Sequence, residues 1–252
     1  DVTKESGRIY VKALGEYDYD DTIEALKRVF GIADICPMVQ IEDKDYENLK
    51  KHVVEYMDQV YPDKNIMEYC LLGDNFAEKV LDFQSVVIHA SAISVDNNAY
   101  IFSAPGGTGK STHTKLWKTV LCNKLVNYIN DDKPLLRIRR GKIMAYGTPF
   151  SGKTDKNDNI CVPVKAICFL KQDQKNWICP LSERDAKKNF IEQTLKGLNK
   201  DMQIKLEQTV SEIVERVPMY EMGCRPDREA AIMSYKILSG IQKLKKGNIY
   251  IG

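Results

Sequence analysis

Ile101-Phe102-Ser103-Ala104-Pro105-Gly106-Gly107-Thr108-Gly109-Lys110-Ser111-Thr112 is the stretch on which the fold turns. An apolar run leads into it, and an amphipathic run over about 110–122 leads out, so the pattern reads strand, glycine-rich turn, helix. Gly106, Gly107 and Gly109 let the backbone turn tightly, with several N–H groups aimed at one point. Those donors and the positive end of the following helix make a cradle for phosphate oxygens. Lys110 is placed to reach the outer phosphates, and the Ser111 hydroxyl to ligate Mg²⁺. Gly106, Gly107, Thr108, Gly109, Lys110, Ser111 and Thr112 are therefore the expected nucleotide contacts. One departure stands out: the first glycine of G-x-x-x-x-G-K-[ST] is Ala104 here.

Downstream, short strands are expected over 126–129, 135–139 and 142–146. Asn130-Asp131-Asp132 closes the first of them, where an α/β nucleotide fold carries the carboxylates that phosphoryl transfer needs. A glycine- and asparagine-rich loop over 147–159 precedes a strand over 163–170. Gly147 and Gly152 predict a mobile loop, with Ser151, Lys153 and Thr154 offering donors to a phosphate or an acceptor. Upstream, the apolar runs 85–95 and 99–103 are joined by Asp96-Asn97-Asn98 as a tight hairpin, and 68–83 reads as a helix. His89 lies inside the first run, where a buried histidine satisfied by a backbone carbonyl is the ordinary reading. His52 and His113 read as surface helix residues. Three more helices or strand–helix units complete the chain, the last helix capped by Asp227.

The first quarter has a different character. A strand is expected over 8–14, a helix over 20–30, a strand interrupted by Pro37 over 32–41, and a helix over 43–60. Residues 61–65 break the pattern and mark a boundary, giving a unit of 1–65 and a second of 66–252. Residues 1–65 carry 9 Lys/Arg against 15 Asp/Glu, while the rest carry 28 against 20, so a net charge of +2 conceals a balance of −6 and then +8. A basic second part suits anionic ligands; an acidic first part does not suit nucleic acid. No apolar run is long enough to span a bilayer. No basic-then-apolar leader stands at the start, and the chain opens on Asp1 rather than Met, as a trimmed chain does. The seven scattered cysteines make no C-x-x-C pair, which predicts reduced thiols in a cytoplasmic protein.

Ile88-His89-Ala90-Ser91, the glycine-rich loop and Asn130-Asp131-Asp132 together resemble the catalytic domain of HPr kinase/phosphorylase. The resemblance covers about 68–239. It implies an α/β P-loop fold akin to phosphoenolpyruvate carboxykinase, and transfer of phosphate from ATP or GTP, with Mg²⁺, to a serine-type hydroxyl. By position, Asp131 resembles the aspartate that takes the hydroxyl proton and Asp132 its companion, a metal ligand with Ser111. His89 resembles the histidine on the strand before the P-loop, and Lys110 the P-loop lysine. A homo-oligomer is implied in the same way. The family's signature after the Asp pair is replaced by Tyr146-Gly147-Thr148-Pro149-Phe150-Ser151-Gly152-Lys153-Thr154. This looks like the variant of HPr-kinase-like proteins related to the peptide-serine kinases of lasso-peptide clusters, so HPr is not transferred as substrate. Val217-Pro218-Met219-Tyr220 to Cys224-Arg225-Pro226-Asp227 is also similar to those relatives. There Arg225 either contacts a phosphate or opens the turn before the last helix.

Gly7-Arg8-Ile9-Tyr10-Val11 and Leu26-Lys27-Arg28-Val29-Phe30-Gly31-Ile32 resemble the first, ferredoxin-like domain of bacterial tRNA thiouridine synthases. The small unit is then a natural fusion that positions a substrate, a chimeric piece, or a structural addition. Four functions follow: a kinase for a hydroxyl on a protein, peptide or small molecule; a nucleotide-binding module without turnover; a tRNA-directed kinase; or, as a minor option, phosphorylase or carboxykinase chemistry on the same fold.

Overall fold

A computed structural model describes Lys44, Glu47, residues 64–242 and residues 250–251, and the structural statements below concern those residues. The elements expected over 8–14, 20–30 and 32–41, the boundary at 61–63, and His52 lie outside them. Of the helix expected over 43–60, Lys44 and Glu47 are described and are helical.

The chain runs through helix α1 (Lys64–Lys79), a 3₁₀ turn (Val80–Phe83), and strands β1 (Ser85–Val87), β2 (Ala90–Val95) and β3 (Asn98–Ser103). Helix α2 (Lys110–Val120) and strands β4 (Val126–Asn130), β5 (Leu135–Arg139), β6 (Lys142–Tyr146) and β7 (Cys161–Gln172) follow. The remainder is β8 (Trp177–Pro180), α3 (Glu183–Glu192), α4 (Lys200–Arg216), β9 (Met219–Cys224), α5 (Arg228–Leu238) and β10 (Tyr250–Ile251).

These strands form one mixed sheet. Strands β3, β7 and β9 are parallel at its centre, β2 and β4 extend it antiparallel beyond β3, and β8 and β10 beyond β9. Strand β7 is longer than expected because it serves three neighbours. Residues 161–163 pair with β6, and later residues pair with β3 and β9. The antiparallel wing β6–β5–β1 is thereby fused to the main sheet.

Alternation along the central strands makes the layers. Ala99 and Ile101 face one side with Ile167 and Phe169, under Phe190 of α3 and Leu206, Val210 and Ile213 of α4. Tyr100 and Phe102 face the other, under Trp117 of α2 and Ala230, Ala231 and Ile237 of α5. A period of two thus gives a three-layer α/β sandwich, and β2 and β3 read as nearly continuous apolar runs because both faces are covered.

Turn chemistry fixes the local registers. Asp96 and Asn97 take φ of 48° and 61°, the left-handed pair of a two-residue hairpin turn, so Val95 pairs with Asn98. The run 85–95 is two strands rather than one. At the break, Ile88 N–H donates to the Pro134 carbonyl, His89 N–H to Gln193, and Ala90 N–H to Asp132. Two segments, the β4–β5 loop and the end of α3, therefore converge on His89 between β1 and β2. The helix expected over 68–83 begins earlier and tightens into the 3₁₀ turn, which Gln84 ends at φ 53°. Asp227 caps α5 as expected, accepting from Ala230 N–H.

Candidate active site

Strand β3 delivers the chain to the glycine-rich turn, and the end of the strand is pinned: Ser103 Oγ donates to the His89 carbonyl at 2.8 Å. Gly107 and Gly109 adopt φ of 76° and 112°, which side chains resist. A Cβ at Gly106, Gly107 or Gly109 would meet nothing within 4 Å. The glycines shape the backbone, and the space in front of it is open.

Helix α2 then begins at Lys110 with no side chain capping it, whereas Ser182, Asn199 and Asp227 cap α3, α4 and α5. An uncapped first turn presents the donors and positive dipole end that suit an anion. Lys110 is buried against the loop, Nζ donating to the Ala104 carbonyl at 2.8 Å and Pro105 at 3.3 Å. Burial lowers its pKa, assisted by Lys133, against the opposing pull of Asp132 and Asp131. Ala104 itself packs into the core beside Phe102 and Trp117 and is absent from the positive-φ positions. A glycine's freedom is not needed there, which accounts for the departure from the motif.

Beside the turn lies a cleft of about 550 Å³, walled by the loop, by Phe169 and Gln172 of β7, by Glu221 of β9, and by Asn189 and Glu192 of α3. Gln172 Nε2 reaches the Gly107 carbonyl at 3.3 Å, tying the loop to the far end of β7.

The aspartate pair follows β4, and Asn130 builds the turn that presents it. Asn130 is fully buried. Its Oδ1 accepts from Asp132 N–H at 2.8 Å and Lys133 N–H at 2.6 Å, and its Nδ2 donates to the Thr148 carbonyl at 2.8 Å. Thr148 Oγ1 returns to the Lys133 carbonyl at 2.7 Å. Asp131 is 5% exposed and engaged at both oxygens. Ser91 Oγ donates to Oδ1, and Thr154 Oγ1 donates to Oδ2 at 2.8 Å. Ser91 Oγ also pairs with Thr114 Oγ1 at 2.8 Å, which ties the carboxylate to the helix that carries Lys110. The Asp132 carboxylate lies with Oδ1 3.3 Å from His89 Nε2. Burial pushes its pKa up, but the His89 hydrogen bond and the charges of Lys133, His89 and Lys110 outweigh that, leaving it below the usual carboxylate value.

The sequence comparisons agree with the resemblance drawn at the N-terminus. The first 36 residues match the ThiI ferredoxin-like domain. Among similar curated proteins, the probable tRNA sulfurtransferase of Lachnospira eligens is 54% identical over 66 residues, 26% of this chain and 17% of that protein. The probable tRNA sulfurtransferase of Agathobacter rectalis is 48% identical over 65 residues, 26% of this chain and 16% of that protein. That of Lachnoclostridium phytofermentans is 30% identical over 141 residues, 46% of this chain and 36% of that protein. The chain therefore spans only about a sixth of the first two relatives. Among solved structures, the HPr(Ser) kinase/phosphatase of Coxiella burnetii is similar at TM-score 0.35 and 12% identity, over 62% of this chain and 89% of that one.

Several expected residues sit differently from the sequence reading. Gly147 serves a close approach rather than a hinge, since a Cβ there would fall 1.9 Å from the Asp158 carbonyl oxygen and 2.7 Å from that of Ile129. The loop it opens is anchored. Phe150 is buried against Tyr69 and Phe76 of α1, and Tyr69 Oη donates to the Pro149 carbonyl at 3.1 Å. Ser151 is buried, with Oγ accepting from Asn157 Nδ2 at 2.8 Å. Lys153 lies in a 3₁₀ turn (Gly152–Thr154), its side chain outside the described residues. Arg225 is held by Asp227 at 2.9 Å and Glu229 at 3.5 Å, which is the helix-start arrangement.

His113 is buried rather than on the surface. It stacks edge-on to Phe102, and its Nε2 lies 3.0 Å from Ser234 Oγ. Sequence reasoning assigned no role to Ser91, Thr114 or Thr148. Ser91, like Ser94, is a polar residue in a fully buried strand. Thr114, on the same helix as Lys110, gave no signal.

Among the described residues no group of three or more His, Cys, Asp or Glu is arranged to hold a metal ion. No described helix is long and apolar enough to cross a membrane.

Proposed function

We propose that residues 66–252 form an ATP- or GTP-dependent phosphotransferase that moves the γ-phosphate to a hydroxyl on a protein, peptide or small molecule. The observation that carries this reading is Asp131. It is a buried carboxylate, already receiving a hydroxyl, that is wired through Ser91 and Thr114 to the helix opening the glycine-rich turn. A module that merely bound nucleotide has no need of a base in that place.

The glycine-rich turn and the uncapped first turn of α2 would hold the phosphates. Lys110 would exchange its two carbonyl partners for phosphate oxygens. Mg²⁺ fits the hard oxygen donors available, with Ser111 and Asp132 as its protein ligands and water and phosphates completing its shell, the mode this ion favours. When bound, it would neutralise charge developing on the transferred group. His89 would fix the Asp132 carboxylate from behind, as outer-shell partners do. Asp131 would accept the acceptor's proton.

Purified protein incubated with γ-labelled ATP, Mg²⁺ and cell extract tests this. Labelled acceptors are expected. Nucleotide binding without transfer to any species would favour the binding module instead.

A second reading has its own support in the N-terminal match. The relatives of that segment are named as tRNA sulfurtransferases, so a tRNA-directed kinase combines residues 1–65 with the P-loop unit. Sulfur transfer itself finds no help in Cys70, Cys168, Cys179 and Cys224. Burial, the largest effect at each, raises their thiol pKa values, opposite to what a reactive thiolate requires.

A further inference from the structure

We propose that Thr154 is a phosphate acceptor within the chain itself, phosphorylated at Oγ1 by the site that Asp131 serves. This rests on the phosphotransferase reading and adds a substrate to it: a threonine hydroxyl on the loop that closes over the aspartate pair.

If Asp131 takes a proton from the acceptor, the acceptor's hydroxyl must donate a hydrogen bond to one of its oxygens before transfer. Oδ1 accepts from Ser91, which is completely buried and paired with Thr114 on its other side. Oδ2 accepts from Thr154 Oγ1 at 2.8 Å. The other acceptor within reach, the Ser151 carbonyl, is longer at 3.3 Å. Unlike Ser91, Thr154 is an exposed residue on a 3₁₀ turn.

Two features hold the turn there. Gly152, at φ 63°, lies against Asp132, where a Cβ would come 3.2 Å from the Asp132 Cβ. Asn157 bridges to Asn130, the residue that shapes the aspartate turn. Asp131 is in turn tied through Ser91 and Thr114 to the helix that begins at Lys110.

The step balances without another reagent than a nucleoside triphosphate. Thr154 Oγ1 forms a bond to the γ-phosphorus, the bond from that phosphorus to the β–γ bridging oxygen breaks, and the nucleoside diphosphate leaves. The threonine proton passes to Asp131 Oδ2. Because acceptor and base sit on one chain, labelling should be first order, independent of protein concentration, and limited to one phosphate per chain at this site.

The experiment is incubation of the full chain with γ-labelled ATP and Mg²⁺, with and without cell extract, followed by peptide mass mapping. Expected is one phosphoryl group on the peptide holding Thr154. Thr154→Val should abolish it, Thr154→Ser should retain it as phosphoserine, and Asp131→Asn should slow it on the order of a hundredfold. Label on extract species with none on Thr154 would overturn this inference and leave the phosphotransferase reading standing. Label on neither would overturn both. A labelling rate that rises with protein concentration would also contradict the inference, since it would mean transfer between chains.

Discussion

Asp131 has each carboxylate oxygen met by a hydroxyl, and this makes its replacement informative. Asp131→Asn keeps the volume and removes the base, so transfer should fall on the order of a hundredfold or more with nucleotide binding intact. Lys110→Ala should cost a similar factor by removing one charge stabiliser.

A second residue reports on folding. Burial pulls the pKa of His113 down to about 4. The unfolded chain therefore binds a proton near 6.5 that the folded chain refuses. The stability tied to neutral His113 is fully present above the unfolded value and is lost as pH falls through that window. Moving from pH 7 to pH 5 should cost on the order of 2 kcal/mol from this group. Urea midpoints at the two values check this, and His113→Gln should flatten that part of the dependence. At this scale the nucleotide cradle was legible, because glycine, lysine and serine at fixed spacing carry their own geometry. His113 was not: a histidine among polar helix residues reads as exposed until Phe102, Trp117 and Ser234 are seen to enclose it.

Among the elements, the loop over 147–159 shows most clearly where local reading stops. Its glycines suggested freedom, and one of them is instead the condition for contact. Gly147→Ala would force a methyl against the Asp158 and Ile129 carbonyls. The expected cost is about 1–3 kcal/mol, as for other overpacking changes. Thermal unfolding measures the loss, and hydrogen exchange over 147–159 should show the loop loosened. The strands β4 to β6 and the hairpin turn were legible from apolar runs and left-handed turn residues. The break at His89 was not, because the carbonyls of Pro134, Gln193 and Asp132 that take its neighbouring N–H groups come from distant segments. Periodicity records which face a residue shows, and it says nothing about which loop will arrive at a strand end.

For the whole molecule, the parallel run of β3, β7 and β9 brings their C-terminal ends to one side of the sheet, where the glycine-rich turn and the cleft lie. The α/β class followed from one motif in the right setting, while the long β7 that welds two groups of strands did not, since its three pairings are non-local. The ferredoxin-like resemblance at the N-terminus is matched over residues 1–36. If the chain acts on tRNA, its mobility shift with tRNA should weaken steeply with salt. No shift at low salt would remove that reading.

The central claim is that Asp131 serves a phosphoryl-transfer centre built on the P-loop. Transfer from γ-labelled ATP to extract acceptors, compared between the native chain and Asp131→Asn at saturating nucleotide, tests it most directly. A fall on the order of a hundredfold with nucleotide affinity unchanged is the predicted result. Full transfer by the asparagine variant would contradict it.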